Sequence, residues 1–277
     1  MEIGKDNLLK IVRFTSVGAF LTDGEHEVLL PKKYTTREMQ PEDEVEVFVY
    51  LDHEERPVAT TLEPKIYRDE FALLKVNYIN EFGAFLDMGL EKDLFVPFKE
   101  QARKMKVNKR YLIYMYLDPK SNRLVGSSKL NQFLNLTEPD VEVGQEVDLI
   151  VSHITEMGIN VIINEKFKGL MYKNQVFEDL RTGDRIIGYI KEIRKDGKID
   201  VSRTPINFTQ KAGKLSQIIL EILDENDGYL GLHDKSHPEE IKDILGMSKK
   251  AFKQTIGTLY KEKKIKITDK GIFKVKN

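Results

Sequence analysis

The chain has 277 residues, 40% of them hydrophobic and 32% charged, with a formal net charge of −1, a balance that predicts two to four globular domains rather than a disordered chain. The sequence contains no run of about 18 apolar residues and therefore predicts no membrane-spanning helix. Residues 1–6 lack the basic segment followed by an apolar one that marks a secretion signal. There are no cysteines, and of the five histidines His233 and His237 are four apart, but Pro238 breaks any helix that both could share. We therefore expect no disulfide, no metal, no cofactor and a cytoplasmic protein.

Three segments within residues 1–205 repeat one order of patterns. Each begins with a β-rich run around a glycine flanked by apolar residues, namely Gly18, Gly83 and Gly158. A glycine inside a strand pattern is typical of a sharp bend at a barrel corner, where a larger side chain would collide. Three further strands follow in each segment, expected at residues 28–31, 45–50 and 57–61, at 94–97, 111–116 and 124–128, and at 169–172, 185–190 and 199–202.

These patterns predict small barrels. Val45, Val47 and Val49 alternate with other residues and would share one face, which indicates a half-buried strand. Five short strands in roughly 70 residues suit a closed OB-type barrel, which has no free sheet edge. A single β-sandwich is the alternative, but each segment repeats the strand order with its own turns. We therefore predict three consecutive five-stranded OB-fold barrels at 1–62, 63–137 and 138–205, with a short helical linker between 127 and 136.

The most informative tetrapeptide of the second segment is Phe82-Gly83-Ala84-Phe85. It resembles the F-G-x-F signature of the S1 (S-one) type of RNA-binding domain, a five-stranded OB barrel. The resemblance implies that Phe82 and Phe85 project from the barrel face and stack on bases. The residues by themselves leave two interpretations open, because side chains three apart face opposite sides of a regular strand. Either at least one ring is exposed, which offers about 1–3 kcal/mol per stacked base, or both rings belong to the core.

In the same family, the turn between the last two strands holds an acidic and a basic residue that contribute polar and phosphate contacts. Asp118 and Arg123 stand there in the second segment, one residue further apart than the family pattern, and Asp52 and Arg56 match it in the first. The resemblance therefore adds Arg123 to the expected nucleic-acid-binding residues.

The first and third segments depart from the signature. Val17 replaces the first aromatic residue in the first segment, and Met157 and Ile159 replace both in the third. The third segment offers Tyr172 and Lys173 instead, together with other basic residues: Lys166, Lys168, Lys191, Arg194, Lys195 and Lys198. Because a run of charges is often only solvated, nucleic-acid contact in this segment is one of two open alternatives.

From about residue 211 the apolar period changes from two to about 3.6, which predicts helices. One helix ends near Gly228, a second spans 238–245 and begins with Pro238, and a third is capped by Ser248. Two strands at 265–267 and 272–275 complete a winged-helix domain at 206–277. The side chains expected to face the core of this domain are Leu215, Ile218, Ile219, Ile222, Leu223, Ile241, Ile244, Leu245, Phe252, Ile256, Leu259 and Tyr260.

Positive charge is concentrated at the C-terminus. Residues 248–277 contain ten lysines and two acidic residues, a net +8, so residues 1–247 have a net −9. Such asymmetry indicates an electrostatic footprint for nucleic acid. Lys249, Lys250 and Lys253 begin the third helix, the usual recognition helix, and Lys270 lies at the wing tip. They would attract phosphates without selecting a sequence, and Gln254 is the single clear base-contacting candidate. A solvated protein-contact module is the alternative.

The order of three S1-type barrels and a winged helix resembles the bacterial conserved virulence factor B family, also described as YitL-like. The segments at 234–241 (DKSHPEEI) and 245–253 (LGMSKKAFK) are particularly similar to it. The resemblance implies RNA binding and post-transcriptional control of gene expression, including virulence genes in some bacteria.

We therefore predict a protein that binds single-stranded RNA and is not an enzyme. The alternative is a transcription factor that binds duplex DNA through its winged helix. A nuclease is disfavoured, because phosphodiester chemistry needs clustered metal-binding acids or a placed base, whereas Asp52, Glu54 and Glu55 fall in a hairpin turn. The patterns assign no oligomeric state.

Overall fold

The computed structural model describes residues 1–135, 139–173, 176 and 178–275, with the side chains of 206–214 left aside. Three closed five-stranded barrels and a winged helix follow one another along the chain. This architecture confirms the predicted fold class. Among the described residues, no helix is both long and apolar enough to span a membrane.

The three barrels share one topology. In each, the first strand pairs with the second and the fourth, and the third strand runs parallel to the fifth, which closes the sheet. Barrel one consists of β1 Asp6–Thr15, β2 Gly18–Thr22, β3 Glu27–Pro31, β4 Glu44–Leu51 and β5 Pro57–Thr60. Barrel two consists of β6 Phe71–Ile79, β7 Gly83–Asp87, β8 Leu94–Pro97, β9 Arg110–Asp118 and β10 Arg123–Ser127. Barrel three consists of β11 Glu146–Ile154, β12 Gly158–Ile163, β13 Phe167–Tyr172, β14 Arg185–Ile193 and β15 Ile199–Ser202.

The sequence suggested that each repeated glycine bends a single strand. The structure places these glycines elsewhere. Each begins the second strand of its barrel, directly after a hairpin turn. A Cβ atom on Gly18 would lie 2.1 Å from the carbonyl oxygen of Leu30, and one on Gly83 would lie 2.4 Å from that of Val96. Glycine is needed at these positions because the third strand approaches the backbone too closely for any side chain.

A second shared feature is an irregularity in the first strand of each barrel. The register with the second strand shifts between Ile11 and Arg13, between Val76 and Tyr78, and between Val151 and His153. Such bulges bend a strand and change the direction of the side chains beyond them. The residue after each shift lies opposite an outward-facing residue of the second strand.

Neighbouring barrels are joined by apolar clusters. Phe48 shares a face of β4 with Glu44 and Glu46, yet it is 1% exposed, because it packs with the core of barrel two and meets the Tyr67 ring edge-on at 5.7 Å. Between barrels two and three, a cluster forms around a short 3-10 turn at Leu130–Phe133, in agreement with the predicted helical linker. The buried members of that cluster are Phe71, Leu112, Leu134, Ile150 and Ile162.

The winged-helix domain has three helices and a three-stranded sheet in the order β16, β18, β17. Its elements are α1 Ile206–Glu225, β16 Tyr229–Leu230, α2 Pro238–Leu245, α3 Lys249–Lys261, β17 Ile265–Thr268 and β18 Gly271–Lys274. Strand β16 was not predicted, since two residues are too short to show a period. Ser248 caps α3, accepting a hydrogen bond from the backbone N–H of Ala251 at 3.3 Å, as predicted.

Three core predictions in this domain were wrong. Ile218, Ile244 and Tyr260 are 37%, 53% and 56% exposed. A helix that packs on one side buries only a stripe of its surface. Neighbours spaced by four residues, such as Ile241 and Leu245, take the centre of that stripe, and residues at its edge reach solvent.

Candidate nucleic-acid interface

Barrel two displays three aromatic rings side by side on its outer surface. Tyr78 on β6 lies opposite Phe85 on β7, and Phe85 lies opposite Phe95 on β8. The rings of Tyr78 and Phe85 are stacked, with centroids 4.4 Å apart and planes 7° apart. Phe85 and Phe95 follow at 5.0 Å and 36°. We call Tyr78, Phe85 and Phe95 the aromatic row.

The row faces outward because its strands alternate. Ala84 and Leu86 point into the barrel and are fully buried, so Phe85 between them points out and is half-buried. Tyr78 is 49% exposed. Partial burial raises the pKa of its phenol, with a smaller contribution from Asp93. The surface therefore presents flat apolar faces with one polar tip.

Phe82 adds a fourth ring beside the row. It lies in the β6–β7 turn and is 65% exposed. The side-chain oxygen of Asn80 accepts hydrogen bonds from the backbone N–H groups of Phe82, at 2.9 Å, and Gly83, at 3.1 Å. These bonds order the turn. Both phenylalanines of the F-G-x-F motif thus lie outside the core, which removes the alternative that both are buried.

The other barrels place different residues at the same register. Barrel one has Arg13, Phe20 and Leu29 in a row, and the Arg13 guanidinium lies 4.4 Å above the Phe20 ring. Glu27 neutralises Arg13 through two hydrogen bonds of 2.7 and 2.8 Å. The matching row in barrel three contains no phenylalanine, tyrosine or tryptophan and consists of His153, Asn160 and Leu170.

A cleft separates the aromatic row from barrel one. It has a volume of about 500 Å³. Arg123, predicted to contact phosphate, lies in this cleft and forms an ion pair with Glu55 of barrel one. Its expected neighbour Asp118 instead accepts a hydrogen bond of 2.6 Å from the Ser121 hydroxyl. Lys92 also lines the cleft and donates to the backbone oxygen of Asp52 at 2.7 Å. Burial lowers the pKa of Lys92.

The acidic residues of the β4–β5 hairpin are held in ion pairs. Asp52 and Glu54 both pair with Arg56 at 2.8 Å, and Glu55 pairs with Arg123. Asp52 and Arg56 thus pair with each other, whereas Arg123 pairs across the barrels.

In barrel three, Tyr172 is half-buried and Lys173 is exposed. The Tyr172 hydroxyl accepts a hydrogen bond from Arg194, which also pairs with Asp200 at 2.8 Å. The Lys191 ammonium lies 6.0 Å from the Tyr172 ring centroid. The ring and its basic neighbours therefore meet on one surface, although Asp200 neutralises part of the charge.

The predicted lysines of the winged helix have no acidic partner in the part of the chain that the structure describes. Lys250, Lys253 and Lys270 are exposed, Lys249 is partly exposed, and none pairs with a carboxylate of the described residues. They differ from two other lysines of the domain, since Lys264 pairs with Glu262 at 2.8 Å and Lys274 pairs with Asp224. Lys276, one of the ten C-terminal lysines, lies outside the described residues.

Charge is distributed unevenly over the four predicted domains. Barrel one has 13 acidic and seven basic side chains, whereas barrel two has nine acidic and 13 basic. Six of those basic residues fall within 99–110, a segment with no predicted strand: Lys99, Arg103, Lys104, Lys106, Lys109 and Arg110. Barrel two therefore combines exposed rings with positive charge, the pairing that single-stranded nucleic acids favour.

The sequence motif found only part of this surface. Tyr78 lies four residues before the F-G-x-F motif and Phe95 ten residues after it, and only strand register brings them to Phe85. The apolar run at 94–97 was the available signal for Phe95. No local pattern indicated Glu55 as the partner of Arg123.

Comparisons with known proteins agree with this architecture. Residues 217–273 match the CvfB-like winged helix domain family, and residues 3–62 match the S1 domain family. The chain is 31% identical over 281 residues to YitL of Bacillus subtilis, covering 96% of this chain and 91% of that protein. It is 27% identical over 263 residues to conserved virulence factor B of Staphylococcus aureus strain N315, covering 86% of each.

A solved structure from Streptococcus pneumoniae, described as a multidomain protein with nucleic acid binding domains, is also similar. It aligns with 99% of this chain and 98% of its own, at 23% identity and a TM-score of 0.42.

Proposed function

Because the chain belongs to the YitL-like conserved virulence factor B family, we propose that it binds single-stranded RNA through barrel two and its basic winged helix. The observation that carries this proposal is the aromatic row with Phe82 beside it. Stacked, partly exposed rings bind any base through its π-face, provided that the base is not already paired and stacked in a duplex.

The winged helix supplies the second part of the interface. Lys249, Lys250, Lys253 and Lys270 extend free ammonium groups, which attract phosphates regardless of sequence. In α3, Gln254 is the single amide side chain, the type that pairs with adenine through two hydrogen bonds, and α3 contains no arginine. This composition supports phosphate contact more than sequence-specific binding to duplex DNA. Tyr172 and Lys173 of barrel three add a further contact surface to the proposal.

Membership of this family also suggests a biological role. The relatives named conserved virulence factor B support a link to virulence, and we propose that the chain acts as a post-transcriptional regulator of bacterial gene expression, with virulence genes among its targets. The matching families are nucleic-acid-binding domains rather than enzyme families. We place the protein in the cytoplasm, where its RNA targets are made.

The test compares two ligands on the full chain. Fluorescence anisotropy measures the affinity for a labelled single-stranded RNA and for a duplex DNA of the same sequence, at about 50 and 200 mM salt. The proposal expects tighter binding to the RNA at both concentrations. Tighter binding to the duplex DNA would instead favour a winged-helix transcription factor.

A further inference from the structure

The cleft between barrels one and two has two chemically different walls. One wall consists of rings from barrel two, namely Phe82, Phe85 and Phe95. The other is the tip of the β4–β5 hairpin of barrel one, with His53 and Glu55. Flat apolar faces thus stand opposite groups that can make hydrogen bonds.

The two walls are fixed relative to each other. Phe48, Tyr50 and Val58 of barrel one are buried in one apolar cluster with Ile66 and the core of barrel two. Buried apolar area of this kind resists separation of the domains. The hydrogen bond from Lys92 to the hairpin backbone adds a polar link at the cleft itself. The cleft is therefore a property of the joined barrels.

Barrel one has fewer groups suited to RNA on its outer face than barrel two has. Its row has a single ring, Phe20, and that ring is covered by Arg13. Its net charge is −6, from 13 acidic and seven basic side chains. Repulsion from phosphates disfavours an independent RNA site there. The hairpin of barrel one nevertheless faces the rings of barrel two, which suits a role as one wall of the cleft.

We propose that the cleft holds one unpaired nucleobase of the bound strand, packed against the ring wall of Phe82, Phe85 and Phe95 and with its edge facing His53 and Glu55. This inference rests on the proposed function and adds barrel one to the site as a wall. The volume of about 500 Å³ lies in the range of small-ligand sites, roughly 300–1,000 Å³. The Glu55 carboxylate accepts N–H groups from the base edge, and Arg123 and Lys92 lie where the adjoining phosphate would be.

The ion pair between Glu55 and Arg123 fits this role. Both side chains are about half exposed, at 49% and 54%. Exposed pairs contribute little to stability, because water screens them. A strand entering the cleft can therefore separate the pair at low cost, directing Arg123 to phosphate and Glu55 to the base.

The histidines of the chain allow a direct test by NMR. His53 lines the cleft, whereas His26 lies in the β2–β3 turn of the same barrel and does not line it. A four-nucleotide RNA is titrated into the full chain while the ring protons of all histidines are followed. His53→Gln assigns the relevant signal. We expect the His53 signals to shift and those of His26 to stay, and we expect the His53 shift to disappear in Phe85→Ala.

A matched pair of variants tests the carboxylate. Glu54 and Glu55 are neighbours in the hairpin, but only Glu55 lines the cleft. Affinities are measured for four tetranucleotides, each of a single base type. In Glu55→Ala, we expect the ratio of the highest to the lowest of these four affinities to fall by about tenfold, the value of one charge-assisted hydrogen bond. Glu54→Ala leaves this ratio unchanged.

The outcomes separate this inference from the proposed function. If Phe85→Ala weakens RNA binding but the His53 signals never move and the two glutamate variants behave alike, the cleft is empty and the inference is wrong, while barrel two still binds RNA. If the chain binds no RNA, or Phe85→Ala changes nothing, both proposals are wrong.

Discussion

The ring of Tyr78 lies parallel to the ring of Phe85, within 7° and with centroids 4.4 Å apart. The stack holds Phe85 in one orientation before any ligand arrives. A side chain that is already ordered loses less conformational entropy on binding. The pair therefore provides a prepared platform for a base rather than two loose side chains.

Replacing Phe85 by alanine removes the centre of this platform. We expect the affinity for single-stranded RNA to fall by about 1–3 kcal/mol, or roughly 5- to 150-fold. Phe82→Ala should also weaken binding and should scarcely affect folding, because Phe82 is 65% exposed. Anisotropy titration measures both effects.

The control for these variants is Phe14→Ala. Phe14 is an exposed aromatic residue of β1, in the barrel that lacks an aromatic row. Its replacement should leave RNA affinity within twofold of the starting protein. An equal loss in Phe14→Ala and Phe82→Ala would mean that general surface hydrophobicity, and not this platform, supports binding.

Most of the fold was predictable because its signals are local. Alternation identified β4, and Pro238 and Ser248 identified the starts of α2 and α3. The site was less predictable because it depends on pairing between strands. The register shift between Val76 and Tyr78 places Tyr78 opposite Phe85, and no short sequence pattern specifies such a shift.

The ion pair of Arg123 was also unpredictable from short patterns, because its partner is distant in the sequence. The sequence motif placed Arg123 in a turn with Asp118, five residues away, and gave it no partner, whereas the structure pairs it with Glu55, 68 residues away. That contact exists because Phe48 is buried between two barrels. Phe48 and Tyr50, which follow Glu44 and Glu46 on one face of β4, were the sequence sign of this interface.

The winged-helix lysines should act through long-range attraction. Lys250→Gln combined with Lys253→Gln removes two free charges from α3. The RNA affinity should fall, and the slope of log affinity against log salt should become shallower by about 1.4, from roughly 0.7 per phosphate contact on a single strand. Titrations at four salt concentrations give this slope.

The matched double variant is Lys264→Gln with Lys274→Gln. Carboxylates of Glu262 and Asp224 already neutralise these two lysines. The slope should therefore hardly change. If both double variants changed it equally, net charge alone would matter and α3 would have no special role.

Gly83 should tolerate no side chain. In Gly83→Ala the new Cβ would lie 2.4 Å from the carbonyl oxygen of Val96 and force β7 and β8 apart. We expect a loss of at least about 1 kcal/mol in the free energy of unfolding, together with weaker RNA binding, since these strands position Phe85 and Phe95. Urea unfolding followed by circular dichroism reports the loss.

Gly257 in α3, unlike Gly83, has room for a side chain. A Cβ there meets nothing within 4 Å among the described residues beyond its own helix. Gly257→Ala should stabilise the winged helix by up to about 1 kcal/mol, because alanine favours helix more than glycine does. Destabilisation of both variants to the same extent would contradict the steric argument for Gly83.

Acid should weaken the ion pair between Asp87 and Lys65, which lies near the aromatic row. A hydrogen bond from Lys65, then one from the backbone N–H of Gly89, holds the pKa of Asp87 below its usual range. A carboxyl whose pKa is lowered by folding stabilises the fold above its unfolded pKa of about 3.9, and that contribution disappears as the pH falls below it. Asp87→Asn should therefore cost up to about 1 kcal/mol at pH 7, and the cost should shrink as the pH falls below about 3.9.

Unfolding measurements at several pH values follow this difference. Glu63→Gln is the control, since Glu63 forms no ion pair with the described residues. A cost of Asp87→Asn that stayed constant down to pH 2 would show that the charge of Asp87 is not responsible.

Photo-crosslinking tests most directly where the RNA lies. A single-stranded RNA containing 4-thiouridine is bound to the full chain and irradiated, and the crosslinked peptides are mapped by mass spectrometry. We predict adducts on Tyr78, Phe82, Phe85 or Phe95 of barrel two. Adducts confined to other parts of the chain, with none between residues 71 and 98, would contradict the account.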